Sequence, residues 1–208
     1  MSRAAELAKF IGDGTLGLGG AEDKKLVFDG NAQDFHIGLD DSADSLTIGL
    51  GSTLGTTSHM VFDANGHITK PLQPAFLVRP TSSQTNLAVG SDVTIVFGTE
   101  IFDQNADFAS NTFTAPVTGK YQLNVGIYFE QIVDNASYIT IRLKTSNRTF
   151  YAIYEPEQGN DNQYKSLHIS VLADMDANDT AYVDFYQPNN TQQADVATAS
   201  EFSGFLAC

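Results

Sequence analysis

The chain has 208 residues, 42% of them hydrophobic and only 17% charged, and its 25 acidic against 11 basic side chains give a formal net charge of −14. That length holds one ordinary domain plus a smaller accessory segment at most, since single cores commonly use about 100 to 200 residues. The charge argues against a nucleic-acid partner, whose phosphates call for clustered Lys and Arg, and the single cysteine, Cys208, makes an intrachain disulfide impossible.

In chain order, residues 2 to 11, SRAAELAKFI, read as a short helix capped by Ser2, with Leu7, Phe10 and Ile11 on one face. Ten residues are marginal as an isolated helix, so these three side chains are expected to dock on a partner surface. Arg3, Glu6 and Lys9 leave no apolar core for a secretory signal. No apolar run reaches the roughly 20 residues that cross a bilayer, so no membrane insertion is expected.

Residues 12 to 70 are glycine-rich and echo themselves: VFDGN at 27 to 31 returns as VFDAN at 61 to 65, with HIGL at 36 to 39 and TIGL at 47 to 50 between them. Short strands and tight turns follow from that pattern. One copy has too little apolar area to offset its conformational entropy, so three copies winding around an axis into a β shaft are expected, burying Phe28, Phe35, Ile37, Ile48 and Phe62.

Beyond Pro71 and Pro74 the strands lengthen and alternate. Residues 75 to 79, 93 to 97, 119 to 129, 138 to 144, 149 to 154, 164 to 173, 180 to 186 and 201 to 207 are predicted strands. Tyr121, Leu123, Val125, Ile127 and Phe129 share one face by strict alternation, as do Ile139, Ile141 and Leu143. With no helix between them, these strands predict a β-sandwich, most simply a jelly roll. The fold class is therefore all-β: a helix at 1–11, a shaft at 12–70 and a head at 71–208.

Particular residues then say more than periodicity. The stretch NTFTAPVTGKY, residues 111 to 121, resembles the N-x-F-x-A-P-x-x-G-x-Y signature of the complement C1q and tumour necrosis factor-like jelly-roll family. Phe113 packs inward in this reading, Pro116 and Gly119 make the turn, and Tyr121 opens the next core strand. AFLVR at 75 to 79, VLADMDANDTAYVDFY at 171 to 186 and SEFSGFLA at 200 to 207 fall in the family's order, so the resemblance spans residues 75 to 207 and implies a homotrimer. Residues 130 to 165 carry no family motif. The N-terminal MSRAAELAKFIGDGTLG and LVFDGNAQDFHIGLDDSADSLTIGLGS are similar to modules of phage structural proteins, which implies a virion protein.

Residue patterns that could carry chemistry occur along the chain and read as structural. Gly12, Gly14 and Gly17 match the dinucleotide pattern G-x-G-x-x-G, but after a helix and before strands, the reverse of what that motif requires. His36, His59, His67 and His168 lack zinc-site spacing and read as ordinary strand or turn residues. The carboxylates of Asp40, Asp41 and Asp44, of Glu155 and Glu157, and of Asp174, Asp176 and Asp179 read as turn chemistry, neither a glycosidase pair nor a calcium loop. The sequons at Asn135, Asn147, Asn178 and Asn189 read as polar loop composition. In complement-type heads the loop matching 158 to 164 sits near the trimer apex and can bind calcium; Asp161, Gln163 and Tyr164 are the side chains that would serve there. No catalytic residue, cofactor or metal is assigned.

The expected function is that of a trimeric bacteriophage fibre subunit, on tail or capsid. Its N-terminus would meet other virion proteins, and its head would meet a host receptor or glycan. A secreted or cell-surface complement-type binding module is the alternative, and a glycan-cleaving tailspike stands behind both. The expected location is the virion surface, after synthesis in the host cytoplasm.

Overall fold

The computed structural model describes residues 19–132, 136–156, 162–189 and 193–208. The helix expected at 2 to 11, with Leu7, Phe10 and Ile11, and the glycines at 12, 14 and 17 lie outside them. The chain divides into two compact units, Met1–Leu72 and Gln73–Cys208.

The first unit is one antiparallel meander: β1 (Lys24–Phe28), β2 (Phe35–Asp40), β3 (Ser45–Leu50), β4 (Ser58–Phe62) and β5 (Ile68–Thr69), paired in that order. The VF of each echoed pentapeptide ends a strand, β1 or β4, and the aspartate that follows leaves it. Asp63 shows why: its carboxylate accepts the backbone N–H groups of Asn65 and His67, an Asx turn that folds the chain back into β5. Between β2 and β3 the Asp40 carboxylate accepts from the Ser42 hydroxyl and the Ala43 N–H, and Asp44 takes a φ of 47°.

Alternation sorts this sheet by size. One face carries three apolar rows across the strands: Leu39, Leu46, Phe62 and Ile68; then Leu26, Ile37, Ile48 and Met60; then Phe28, Phe35 and Leu50. The other face carries His36, Gly38, Ser45, Thr47 and Gly49, all buried, and a Cβ at Gly38 would lie 2.8 Å from Leu54 Cδ2 in the 51–57 loop. The small-residue face is thus covered over β2 and β3, while Lys25 and Val27 of β1 on the same side are exposed. The strands pair with one another within one chain, and in that single chain Phe28, Phe35 and Ile37 are exposed, at 57%, 44% and 38%, so their expected burial falls to other copies. Ile48 and Phe62 are half-buried.

The second unit is a two-sheet sandwich. Its strands are β6 (Ala75–Arg79), β7 (Val93–Thr94), β8 (Thr99–Asp103), β9 (Phe108–Ala109), β10 (Thr112–Thr114), β11 (Gly119–Ile132), β12 (Ile139–Thr145), β13 (Thr149–Tyr154), β14 (Asn162–Met175), β15 (Thr180–Tyr186), β16 (Asp195–Val196) and β17 (Glu201–Leu206). One sheet runs β14-β11-β17-β6-β8 with β16 on β11; the other runs β13-β12-β15-β10-β9 with β7 on β15. This is a jelly roll, and no helix occurs among the described residues. The alternating runs of β11 and β12 are buried as expected, from Tyr121 to Phe129 and from Ile139 to Leu143, and the rings of Phe76, Phe113 and Phe202 join them between the sheets.

The predicted strand at 93 to 97 pairs only at Val93 and Thr94. Ile95 N–H still donates to the Val183 carbonyl at 3.0 Å, and beyond it side chains replace the ladder: Val96 N–H donates to Gln84 Oε1 at 2.9 Å and Phe97 N–H to Asn111 Oδ1 at 2.8 Å. Buried Ile95 and Phe97 still supply the alternation that marked the segment as a strand.

Candidate functional site

The signature residues of the head build the sandwich. Phe113 is fully buried, its ring stacked on Phe76 at 4.7 Å. The Tyr121 hydroxyl donates to the Val117 carbonyl at 2.7 Å, fastening the turn that Pro116 opens; burial raises its pKa. Gly119 and Gly204 sit where no side chain fits. A Cβ at Gly119 would meet Cys208 O at 2.7 Å, and one at Gly204 would meet Leu123 Cδ2 at 2.6 Å and Phe76 Cε1 at 2.8 Å.

Two outward surfaces remain for recognition. On the β14-β11-β17-β6-β8 sheet, cross-strand registers line up Leu172, Gln122, Phe205 and Ala75 in one row, then Ser170, Asn124, Ser203, Leu77 and Phe102. Leu172, Phe205 and Phe102 are exposed. Gln122 donates to Asn124 and to Ser170, and Ser170 donates to Asn124, so the polar members satisfy one another. Further along, Gly126, Tyr128, Ser166, His168 and Glu201 line a shallow cleft of about 150 Å³.

The other sheet carries a charge cluster. Arg142 Nε donates to Asp184 Oδ1 at 2.6 Å and its Nη2 lies 2.6 Å from Asp92 Oδ1; Lys144 Nζ bridges Asp184 Oδ2 at 2.6 Å and Asp92 Oδ2 at 3.1 Å. Tyr186 lies under the guanidinium and Tyr182 under the ammonium. Hydrogen bonds from Arg142 and then Lys144 hold the Asp92 carboxyl below its ordinary range, and the bond to Asp184 raises Lys144. Asp184 is buried, and two cations satisfy it. Sequence reasoning missed this cluster because its members are far apart in the chain; the signal was an acid in the middle of the apolar run YVDFY.

Of the other candidate residues, Asp161 and Glu157 lie outside the described residues. Gln163 and Tyr164 fall within β14, not in a loop, and the exposed Tyr164 ring stacks on Tyr128 at 5.9 Å. Glu155 is exposed just past β13. Asp40, Asp41 and Asp44 form the β2–β3 turn. Asp174 pairs with Arg148 at 2.7 Å, and Asp179 accepts from the Asp176 N–H and from Asn147. Asn178 has a φ of 74° in the same turn, and Asn189 accepts from the Ser137 N–H; Asn135 lies outside the described residues.

The histidines are scattered. His59 meets Phe35 edge-on, His67 pairs with Asp63 at 2.7 Å and His168 lines the cleft. His36 departs from the reading as an ordinary strand residue: it is fully buried, donating from Nδ1 to Gly51 O at 2.8 Å, with Nε2 unpartnered and the ring packed over Gly49. Among the described residues no group of three or more His, Cys, Asp or Glu is placed to hold a metal ion, and no helix is long and apolar enough to cross a membrane.

Among solved structures, the chain is similar to the globular domain of zebrafish complement 1qA protein, at 17% identity and a TM-score of 0.48 over 65% of this chain and 98% of that one. It is similar also to murine APRIL at pH 8.5, at 10% identity and a TM-score of 0.48 over 64% and 98%. No curated protein matches the chain. The model of the C1q domain matches residues 75–207, which take in the signature turn, the long core strands and the closing strand with Gly204. By that match the chain belongs to the C1q domain family.

Proposed function

We propose that the protein is a homotrimeric, non-catalytic binding module and, more specifically, a fibre subunit of a bacteriophage virion. The observation that carries the first part is the C1q domain at 75–207 joined to an outward sheet face on which Leu77, Phe102, Leu172 and Phe205 leave apolar area for neighbouring heads. Three heads on one axis present three identical ligand sites, so weak contacts gain avidity through geometry. The virion reading rests on the N-terminal sequence: its similarity to modules of phage structural proteins, the docking role expected of Leu7, Phe10 and Ile11, and the repetitive β segment that follows. The N-terminus would meet other virion proteins, while the head would meet a host receptor or glycan or serve assembly.

The C1q match favours a second reading equally, a secreted or cell-surface complement-type binding module. A glycan-cleaving tailspike gains nothing from the carboxylates weighed above, since those that are described lie in turns or at a strand end. Light scattering of the purified chain should give three times 22.4 kDa, and a folded monomer at micromolar concentration would overturn the trimer. Immunogold labelling with antibodies to the head should decorate phage particles; labelling confined to a cell surface would establish the second reading instead.

A further inference from the structure

We infer that the apolar face of the N-terminal sheet is an interface between copies of this chain, each five-stranded meander forming one wall of a three-walled prism with its large side chains inside. This rests on the trimer proposed for the head and adds to it a second, separate contact surface.

Among the described residues no segment covers the face. Its three rows run from β1 to β5 with no acidic residue among them, and Lys24 stands alone at a corner. Seven of the side chains are 38% to 57% exposed. Those fractions leave on the order of 700 to 900 Å² of apolar surface per copy, above the ~300 to 600 Å² of the largest patch on a typical monomer and matching the ~800 Å² each partner gives to a standard interface. On the opposite face the 51–57 loop packs over β2 and β3, while Lys25 and Val27 of β1 stay exposed, so the large-residue face is the sheet's main uncovered apolar layer.

The occupant follows from charge and connection. A face that is apolar in every row is complementary to itself and asks for no partner of opposite sign. The acidic residues gather beyond the strand ends, with Asp29 and Asp34 at one end and Asp40, Asp41, Asp44 and Asp63 at the other, where they stay in water while the faces meet. The same rims disfavour an anionic lipid surface. Only residues 70–74 separate β5 from β6, so three heads on one axis hold three such sheets at a local concentration of roughly millimolar, enough for a modest interface to close.

The test uses the full chain with photoreactive benzoylphenylalanine in place of Phe35 and, separately, of Phe28, ring-for-ring replacements on this face. Irradiation should give an adduct at twice the chain mass, mapped by mass spectrometry to residues 24–69 of another copy, while the same probe at Lys25 on the opposite face gives none. Adducts within one chain would show that the face is covered by the chain's own segments. Adducts to a chain-foreign protein, or strong binding of a hydrophobic dye by the unmodified chain, would show that no second copy covers it. Any of these overturns the inference. Light scattering on the same samples separates the two proposals, because a monomeric mass removes the trimer itself, whereas a trimeric mass with an open or self-covered face removes only the prism.

Discussion

Replacing Phe113 with alanine tests the core of the head at its most densely packed point. The ring is fully buried and stacks on Phe76 at 4.7 Å while lying 5.4 Å from Tyr121. Truncation removes the buried ring and leaves a cavity between two sheets whose strands are paired on both sides, so the walls have little freedom to collapse. Phenylalanine-to-alanine changes of this kind cost about 3 to 5 kcal/mol, and the lost ring pairs place Phe113→Ala toward the upper end. For a unit of this size, a lowering of the melting temperature by roughly 10 to 20 °C follows. Differential scanning calorimetry at matched chain concentration is the appropriate assay, because the proposed subunit association would make the midpoint depend on concentration. Val117→Ala, at a position 46% exposed, serves as the control. A shift no larger than that control's would mean that Phe113 does not anchor the sandwich.

Further outcomes are expected from the same geometry. Gly204→Ala should destabilise the head by about 1 to 3 kcal/mol, since its Cβ would press on Leu123 and Phe76; a neutral result in chemical denaturation would contradict the close approach. Asp107 is raised by burial and by the nearby Asp103, so the folded state holds its proton more tightly than the unfolded chain, and this opposes folding increasingly as the pH rises past the unfolded value, in full above the folded one. Asp107→Asn should therefore raise the midpoint at pH 7 and have little effect near pH 3. Asp92 has the opposite sign: its lowered pKa gives stability that is present above about pH 4 and lost as the pH falls through the folded value. Asp92→Asn should flatten that acid limb, modestly because the group is half-exposed and more at low salt; an unchanged limb would sink the assignment. Cys208 is one exposed thiol per chain and can link two chains at most, so a reducing agent should not dissociate the trimer.

The fold class of this chain was legible because two signals agree. Alternation placed β11 and β12 correctly, and the NTFTAP and FSGF stretches carry residues that the sandwich needs on steric grounds, Gly204 above all. Short strands such as β8, β9 and β16 were not legible, because two to five residues leave no periodic signature. The 93 to 97 segment misled at its end, because its alternation runs on while the backbone partners of Val96 and Phe97 are the Gln84 and Asn111 side chains, which no local pattern reveals. In the N-terminal unit the strands were legible, but their burial was not. Alternation shows that Leu26, Phe28, Phe35 and Ile37 share a face; it does not say whether anything covers that face. His36 hid for the complementary reason, since a polar residue opposite a glycine gives no sign that a loop closes over it.

The head begins and ends at one end of its sheet: Ala75 of β6 is the register partner of Phe205 of β17, beside Gln122 near the start of β11. The far ends of β11 and β14, where Ile132 pairs with Asn162, lie at the opposite end. A pull exerted there on a bound ligand and resisted at residue 75 runs lengthwise along these strands, across their hydrogen bonds. From the β11 tip the load reaches β6 through β17, so the bonds of the β11–β17 and β17–β6 ladders share it together and do not peel one at a time. A head strung this way is loaded in shear, so it should withstand tugging at its far tip better than traction between residue 75 and the C-terminus, which would unzip β6 from β17.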